Sequence, residues 1–341
     1  MHNLTMTPEI IEKIATGIRK AQRILIVSHV RPDGDAVGSL LGLGLALSEA
    51  GKDIQMVLED GVPESLYYLP AAAEIERKVQ QKPDYIIVVD CSDLQRTGQV
   101  LQTLPQPDLV IDHHVTNTTF GKTNLVLPES PATAEILAQL LPEIGLPVTK
   151  QVATCLLNGI VTDTIGFRTE STTPTTLIVA AGLQEAGADL YRIYKNALLT
   201  KSFNALKYWG AGLSKLTQEA RVVWTSLTLK DRKQSSYPEN DDADLINILS
   251  SIKDIDVAVI FIEQENNKVK VSWRSRQGID VSKIAVVFGG GGHKPAAGAT
   301  IDGHMDDVIE KVLMVTRANI LSEDNRYSEK ESAIIHAHGS K

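Results

Sequence analysis

Residues 23–51, RILIVSHVRPDGDAVGSLLGLGLALSEAG, decide the fold class. RILIVSH is a continuous apolar run, as a strand buried on both faces requires, and it carries the chain into His29. The stretch Arg31-Pro32-Asp33-Gly34-Asp35 is too irregular for a helix and reads as a turn. From Ala36 to Ala50, Val37, Leu40, Leu41, Leu43 and Leu47 share one helical face, and Gly51 marks the end. Strand, turn and helix in that order open a parallel α/β sheet, whose strands hold ligands at their carboxyl ends. His29, Asp33 and Asp35 stand at such an end. Asp33 and Asp35 share a side of an extended segment and could serve neighbouring ions. Asp35 is also placed to cap the following helix, and PDGD taken alone suits a plain surface turn.

Working outward, residues 7–20 read as an amphipathic helix, unlike the uninterrupted apolar core of a signal peptide. Residues 53–58, 85–90 (YIIVVD) and 108–114 (DLVIDHH) read as further strands. After Pro128 the pattern turns helical, over 132–141, 150–162, 174–187 and 189–216. A second unit starts near Arg221. It has a strand in VVWTSLTL, a helix in ADLINILSSI and a hairpin turning at Asn266-Asn267. A short helix in VSKIAVVF follows, with a strand at GATI and a closing helix over 306–320. The expected architecture is α/β: an N-terminal, mostly parallel sheet flanked by helices, a helical connector, and a smaller C-terminal α/β domain, with a cleft between. The expected divisions are 1–188, 189–220 for the connector, 221–322, and a polar tail over 323–341 that includes His336 and His338.

The chain has 341 residues, 43% hydrophobic and 22% charged, enough to bury two ordinary cores. No segment has the length and apolarity of a membrane span. Two cysteines, Cys91 and Cys155, make neither a disulfide framework nor a CxxC metal site, and a cytoplasmic protein is expected. The net charge of −8 argues against a groove for long duplex nucleic acid, because such binding depends on neutralising phosphates. A short anionic substrate is compatible with it, and so is a homodimer.

Metal-binding residue types recur at the ends of the apolar runs. Asp90 closes YIIVVD, Asp112-His113-His114 closes the next run, and Asp163 lies in GIVTDTIGF. A carboxylate ending a buried strand is costly unless it is paired or bound to a cation. Two ions can neutralise a phosphate ester and lower the pKa of bound water, so no protein nucleophile is needed. Mixed oxygen and imidazole donors suit Mn²⁺, and Mg²⁺ less well. In the second unit, Gly289-Gly290-Gly291-Gly292-His293 reads as a flexible loop whose N–H groups could cradle a phosphate. Arg274 and Arg276 of WRSR add forked donors suited to the same group.

These motifs together resemble the DHH phosphoesterase family, in its branch of short-oligoribonucleotide and 3′-phosphoadenosine 5′-phosphate phosphoesterases, often called nanoRNases. The resemblance covers residues 8–320: SHVRPDGDAVGS, VVD ending at Asp90, DHH at 112–114, NGIVTDT with Asp163, and GIDVSKIAVVFGGGGHKPAAG. It implies that His29, Asp33 and Asp90 hold one Mn²⁺, and that Asp35, Asp90, His113 and Asp163 hold the other. Asp90 then bridges, His114 meets the scissile phosphate and Asp112 supports the histidines. Arg274, Arg276, Gly290, Gly291, Gly292 and His293 map onto the surface that receives substrate. The implied activity is hydrolysis of very short RNA to nucleoside 5′-monophosphates and dephosphorylation of adenosine 3′,5′-bisphosphate. A phosphodiesterase for linear or cyclic dinucleotides stays open as an alternative, as does a non-catalytic nucleotide- or RNA-binding module.

Overall fold

A computed structural model describes residues 6–276 and 279–320, with His293 described by its backbone alone. The expected tail at 323–341, with His336 and His338, lies outside the described residues. The chain divides into two compact units between Thr200 and Lys201. Among the described residues no helix is long and apolar enough to cross a membrane.

The first unit runs α1 (Pro8–Lys20), β1 (Arg23–Val27), α2 (Gly34–Glu49), β2 (Asp53–Val57), β3 (Tyr85–Val89), β4 (Leu109–Asp112) and β5 (Thr123–Val126). It continues with α3 (Thr133–Glu143), α4 (Lys150–Asp163), α5 (Pro174–Glu185) and α6 (Leu190–Tyr194). The strands form one parallel sheet in the order β2-β1-β3-β4-β5. Successive strand residues face opposite layers, which explains why the runs are apolar without alternation. Ile24, Ile26, Ile87 and Val89 join the core built with α1 to α4, while Leu25, Val27, Ile86 and Val88 pack in a second cluster with Leu101 and Val110. From β1 the chain goes outward to β2, then crosses back to β3 on the other side. The carboxyl ends of β1 and β3 therefore flank the point where the winding reverses, the position at which such sheets leave a crevice for ligand.

Two local readings need correction. The helix after the first strand begins at Gly34, so Asp35 lies in its first turn and not on an extended segment beside Asp33. The cap is Asp33, whose Oδ1 accepts from the N–H groups of Asp35 and Ala36. Both aspartates have a cap's side chain; glycine at 34 lets the helix start early enough to use the first. Strand β5 was not expected from TNLV, which is short and half polar.

The second unit comprises α7 (Phe203–Leu213), β6 (Thr217–Glu219), β7 (Val222–Leu227), α8 (Leu229–Ser235), α9 (Leu245–Leu249), β8 (Val257–Gln264) and β9 (Lys268–Ser275). It ends with α10 (Val281–Val287), β10 (Gly291–His293), β11 (Ala296–Asp302) and a helix over 305–320. Its sheet is mixed, in the order β10-β11-β9-β8-β7-β6, with only β7 and β8 parallel. One face carries Phe261, Val271 and Trp273 against Ile284 and Val312; the other carries Val223, Ile260 and Ile262 against Tyr208 and Leu245. The β8–β9 hairpin turns at Asn266 and Asn267, both at positive φ (60° and 55°), the geometry asparagine tolerates best among residues with a side chain. The helical stretch expected over 189–216 is shared between the units. Ile193 packs in the first core, whereas Ala205 and Tyr208 pack in the second.

The glycine run is not a plain loop. The N–H groups of Gly289 and Gly290 donate to Val286 and Ala285, closing α10. Gly291 to His293 then form the edge strand β10 against β11. Gly292 needs to be glycine: its φ is +145°, and a Cβ there would lie 2.4 Å from the Ala296 carbonyl oxygen.

Candidate metal centre

The ends of β1, β3 and β4, the start of α2 and the end of α4 bring the expected side chains together. Three groups form, each with one ligand atom per residue within 4.8 Å of the others: His29, Asp33 and Asp90; Asp35, His113 and Asp163; Asp90, His113 and His114. Asp90 lies between the first two. Its Oδ2 is 3.5 Å from His29 Nε2, and its Oδ1 is 3.6 Å from His113 Nε2. His29 Nε2 is 3.8 Å from Asp33 Oδ2, and His113 Nε2 is 3.3 Å from Asp163 Oδ2. These separations are longer than ordinary hydrogen bonds. They suit ligand atoms flanking a common cation, which sit about 3 Å apart or more when each bond is about 2.1 Å.

The imidazoles are oriented for that task. His29 Nδ1 lies 2.9 Å from the Val30 carbonyl oxygen and His113 Nδ1 lies 3.2 Å from that of Ser130. His114 Nδ1 lies 2.7 Å from Asp112 Oδ1. Each partner can only accept, so each Nδ1 donates the proton and the lone pair falls on Nε2. For His29 and His113 that nitrogen faces the carboxylates. Asp112 is fully buried and also accepts from the His113 N–H and the Asn117 side-chain amide, at 2.9 and 2.6 Å. It orients the His114 ring and holds the His113 main chain.

Asp90 leaves its strand in the left-handed region, with φ of 53°. Strain of this kind persists only where its surroundings over-determine it. Asp35 is buried completely. Its Oδ1 accepts from the Ala134 N–H at 3.0 Å and the Ser39 hydroxyl at 3.1 Å, and its Oδ2 from the Thr133 N–H at 2.7 Å. Room for it depends on Gly159, where a Cβ would stand 2.5 Å from Asp35 Oδ1.

The charges are strongly interdependent. Burial pushes the Asp35 carboxyl well above its ordinary value, and the charges of Asp90 and Asp33 add to that. Burial likewise raises Asp163, helped by Asp35, Asp33 and Asp90. For Asp90 burial also works upward, but the neighbouring imidazoles of His29, His113 and His114 outweigh it and hold the group low. Burial lowers His29 and His114, yet Asp90 and Asp112 respectively bring both out above the usual imidazole value, against the charge of Arg96. Five crowded carboxylates with two driven toward their neutral forms describe a centre short of positive charge. Its donors are oxygen and imidazole, so hard divalent cations fit them. Cys91 is buried beside Asp90, and its thiol donates to the Asp93 carbonyl oxygen at 3.1 Å; burial lifts it to about 12.

Four residues around the centre were not anticipated. The Thr133 hydroxyl donates to Asp90 Oδ1 at 3.0 Å. The Asn158 side chain donates to the Gly34 carbonyl oxygen at 3.1 Å and accepts from the Tyr68 hydroxyl. Arg96 accepts from the Val30 N–H through its carbonyl at 2.7 Å, beside His29. A buried Asn within the apolar helix TCLLNGIV was the one visible signal among these.

In the second unit, described by itself, Arg274 is half-buried and its Nη1 donates to the Trp273 carbonyl oxygen at 3.1 Å. Arg276 is exposed and its Nη2 donates to the Ile252 carbonyl oxygen at 2.6 Å. Backbone register sets Arg274 opposite Ala296, and Ala296 opposite residue 293, so arginine and glycine strand meet in one row of the sheet. The role expected for the His293 side chain lies outside what the structure describes.

Comparison with known proteins agrees with both units. The model of the DHH family, N-terminal domain, matches residues 23–160, and that of the DHHA1 domain matches residues 231–318. The chain is 34% identical over 298 residues to the bifunctional oligoribonuclease and PAP phosphatase NrnA of Thermus thermophilus, covering 87% of this chain and 90% of that one. It is 31% identical over 300 residues to the protein of the same name from Mycoplasma genitalium, covering 85% and 92%. Among solved structures, an exopolyphosphatase-related protein from Bacteroides fragilis superposes with a TM-score of 0.85 at 26% identity, covering 92% of this chain and 97% of that one.

Proposed function

The chain belongs to the DHH family, and from that premise we propose a phosphoesterase that works with two divalent ions, Mn²⁺ or Mg²⁺, on very short RNA and on adenosine 3′,5′-bisphosphate. The products are nucleoside 5′-monophosphates in the first case and inorganic phosphate with adenosine 5′-monophosphate in the second. One observation carries this reading: Asp90 turns one oxygen toward His29 and the other toward His113. A carboxylate so placed can bridge two cations.

His29, Asp33 and Asp90 would hold one ion, and Asp35, Asp90, His113 and Asp163 the other. Asp35 Oδ2 accepts one hydrogen bond and keeps a lone pair for coordination. The four carboxylates balance the charge of two dications. When bound, the ions lower the pKa of water and neutralise the non-bridging phosphoryl oxygens. The chain's own residues supply position. Asp112 fixes the His114 ring through Nδ1 and favours its charged form, so that a protonated Nε2 can meet the scissile phosphoryl group and hand a proton to the leaving group. Arg274, Arg276 and the backbone of the glycine strand take a phosphate of the substrate. The net charge of −8 keeps long duplexes outside this substrate range.

The test is direct. Purified protein is incubated with a labelled diribonucleotide and with adenosine 3′,5′-bisphosphate, with and without Mn²⁺. Metal-dependent release of the stated products is expected, and absence of product from both substrates overturns the proposal. Comparing kcat/KM with linear and cyclic dinucleotide messengers ranks the substrates, because specificity is a difference in transition-state binding.

A further inference from the structure

Helix α3 starts in an unusual way. Its N-cap is Ala132, which has no side-chain acceptor, and the N–H groups of Thr133 and Ala134 donate instead to Asp35, a residue of α2. Thr133 occupies the first helical position, and its hydroxyl takes no part in capping. It is fully buried and donates to Asp90 Oδ1 at 3.0 Å. One residue therefore grips two carboxylates from separate elements, Asp35 through its main chain and Asp90 through its side chain.

The oxygen it grips matters. Oδ1 is the one that faces His113, while Oδ2 faces His29. The Asp90 side chain can rotate about its terminal bond with little hindrance, since torsions ending in a planar group have broad minima. A donor held by a helix on one oxygen removes that freedom. The two oxygens are then assigned, one to each group of ligands.

We propose that Thr133 is a positioning residue that sets the rotation of the Asp90 carboxylate so that it spans both ions. The inference rests on the two-ion reading of the centre. Groups that hold metal ligands from behind contribute substantially to affinity, and their removal typically lowers it about 10- to 100-fold. The hydroxyl touches Asp90 and acts through it, so substrate affinity stays outside its reach.

Thr133→Val keeps the volume and the main-chain N–H but removes the donor; Thr133→Ser keeps the donor and removes a methyl. Mn²⁺ binding is measured by titration calorimetry, the pair of ions by the spin-coupled manganese spectrum, and turnover on the diribonucleotide by initial rates. The valine variant should bind at least one ion about tenfold more weakly, lose the coupled spectrum and drop in kcat by about 10- to 100-fold, with KM within about threefold. The serine variant should restore all three. Valine behaving like the wild type overturns the inference, and so does serine failing as badly as valine. If valine does not fold, Thr133→Ala is compared with Thr133→Ser: loss in alanine alone supports the role, and equal behaviour overturns it. A wild-type protein that binds no pair of ions defeats the functional reading itself, a result separable from any difference among these variants.

Discussion

The two units present polar groups in opposite ways. At the ends of β1, β3 and β4 the first unit uses side chains, each locked by a partner behind it. His29 and His113 are held by main-chain carbonyls, His114 by Asp112, and Asp35 by the start of α3. The glycine strand of the second unit offers main-chain groups along a sheet edge, with Arg274 in the same row. A centre made of locked side chains suits bond-making steps, where small displacements are costly. An edge of small residues suits recognition of a phosphate wherever the rest of the ligand varies. Substitutions should therefore act on turnover in the first unit and on substrate affinity in the second.

The largest effect should come from Asp90→Asn, which keeps the shape and adopts the left-handed backbone as readily as aspartate. Turnover should fall at least about a thousandfold, an amount equal to roughly 4 kcal/mol of transition-state stabilisation. Circular dichroism should show the fold unchanged, and a variant with substantial rate would break the bridging role. Gly159→Ala tests whether the enclosure of Asp35 is mechanical. Its Cβ would stand 2.5 Å from Asp35 Oδ1 and 2.6 Å from Ala134 Cβ. Overpacking of this kind costs about 1–3 kcal/mol, so chemical denaturation should show that loss together with weaker Mn²⁺ binding. Arg274→Gln should raise KM about tenfold and leave kcat within about twofold, the size expected for one charge-assisted hydrogen bond. A fall in kcat alone would erase the distinction between the units.

The smallest effect is one of pH. Asp35 and Asp163 have folded-state pKa values above the ordinary 3.8. Their contribution to stability is complete when both folded and unfolded chains are protonated. It is lost as pH rises through the raised values, because the folded state then holds carboxylates that it disfavours. Metal-free protein should accordingly lose melting temperature as pH climbs above the normal carboxylate range. Mn²⁺-loaded protein should not, and metal binding should release protons, measurable by calorimetry in buffers of different ionisation enthalpy.

Much of this was legible in the residues, and the failures have physical causes. The three central strands announce themselves because both faces of a parallel sheet demand apolar side chains, as in RILIV and YIIVV. The metal-binding residue types stand out because carboxylates at the ends of such runs have no cheap alternative. Thr133 gave no signal, since a threonine in SPATAEIL looks like an ordinary helix start and meets Asp90 only after folding. Spacing alone lets Asp35 serve as a cap as well as a ligand, and Asp33 takes the cap because α2 begins at Gly34. The strand at Gly291 to His293 escaped notice because glycine has no side chain whose alternation could reveal a face.

Cys91 carries a consequence for which cations the centre prefers. It adjoins Asp90 in the chain, yet with a pKa near 12 it stays protonated throughout the neutral range. Its thiol packs in the second apolar cluster and donates to the Asp93 carbonyl oxygen, so copper(I) and other thiophilic ions find no sulfur in the three ligand groups, and peroxide meets a poor nucleophile. The enzyme thus keeps a small, well-packed side chain at its most crowded point without the usual vulnerability of cysteine to poisoning or oxidation.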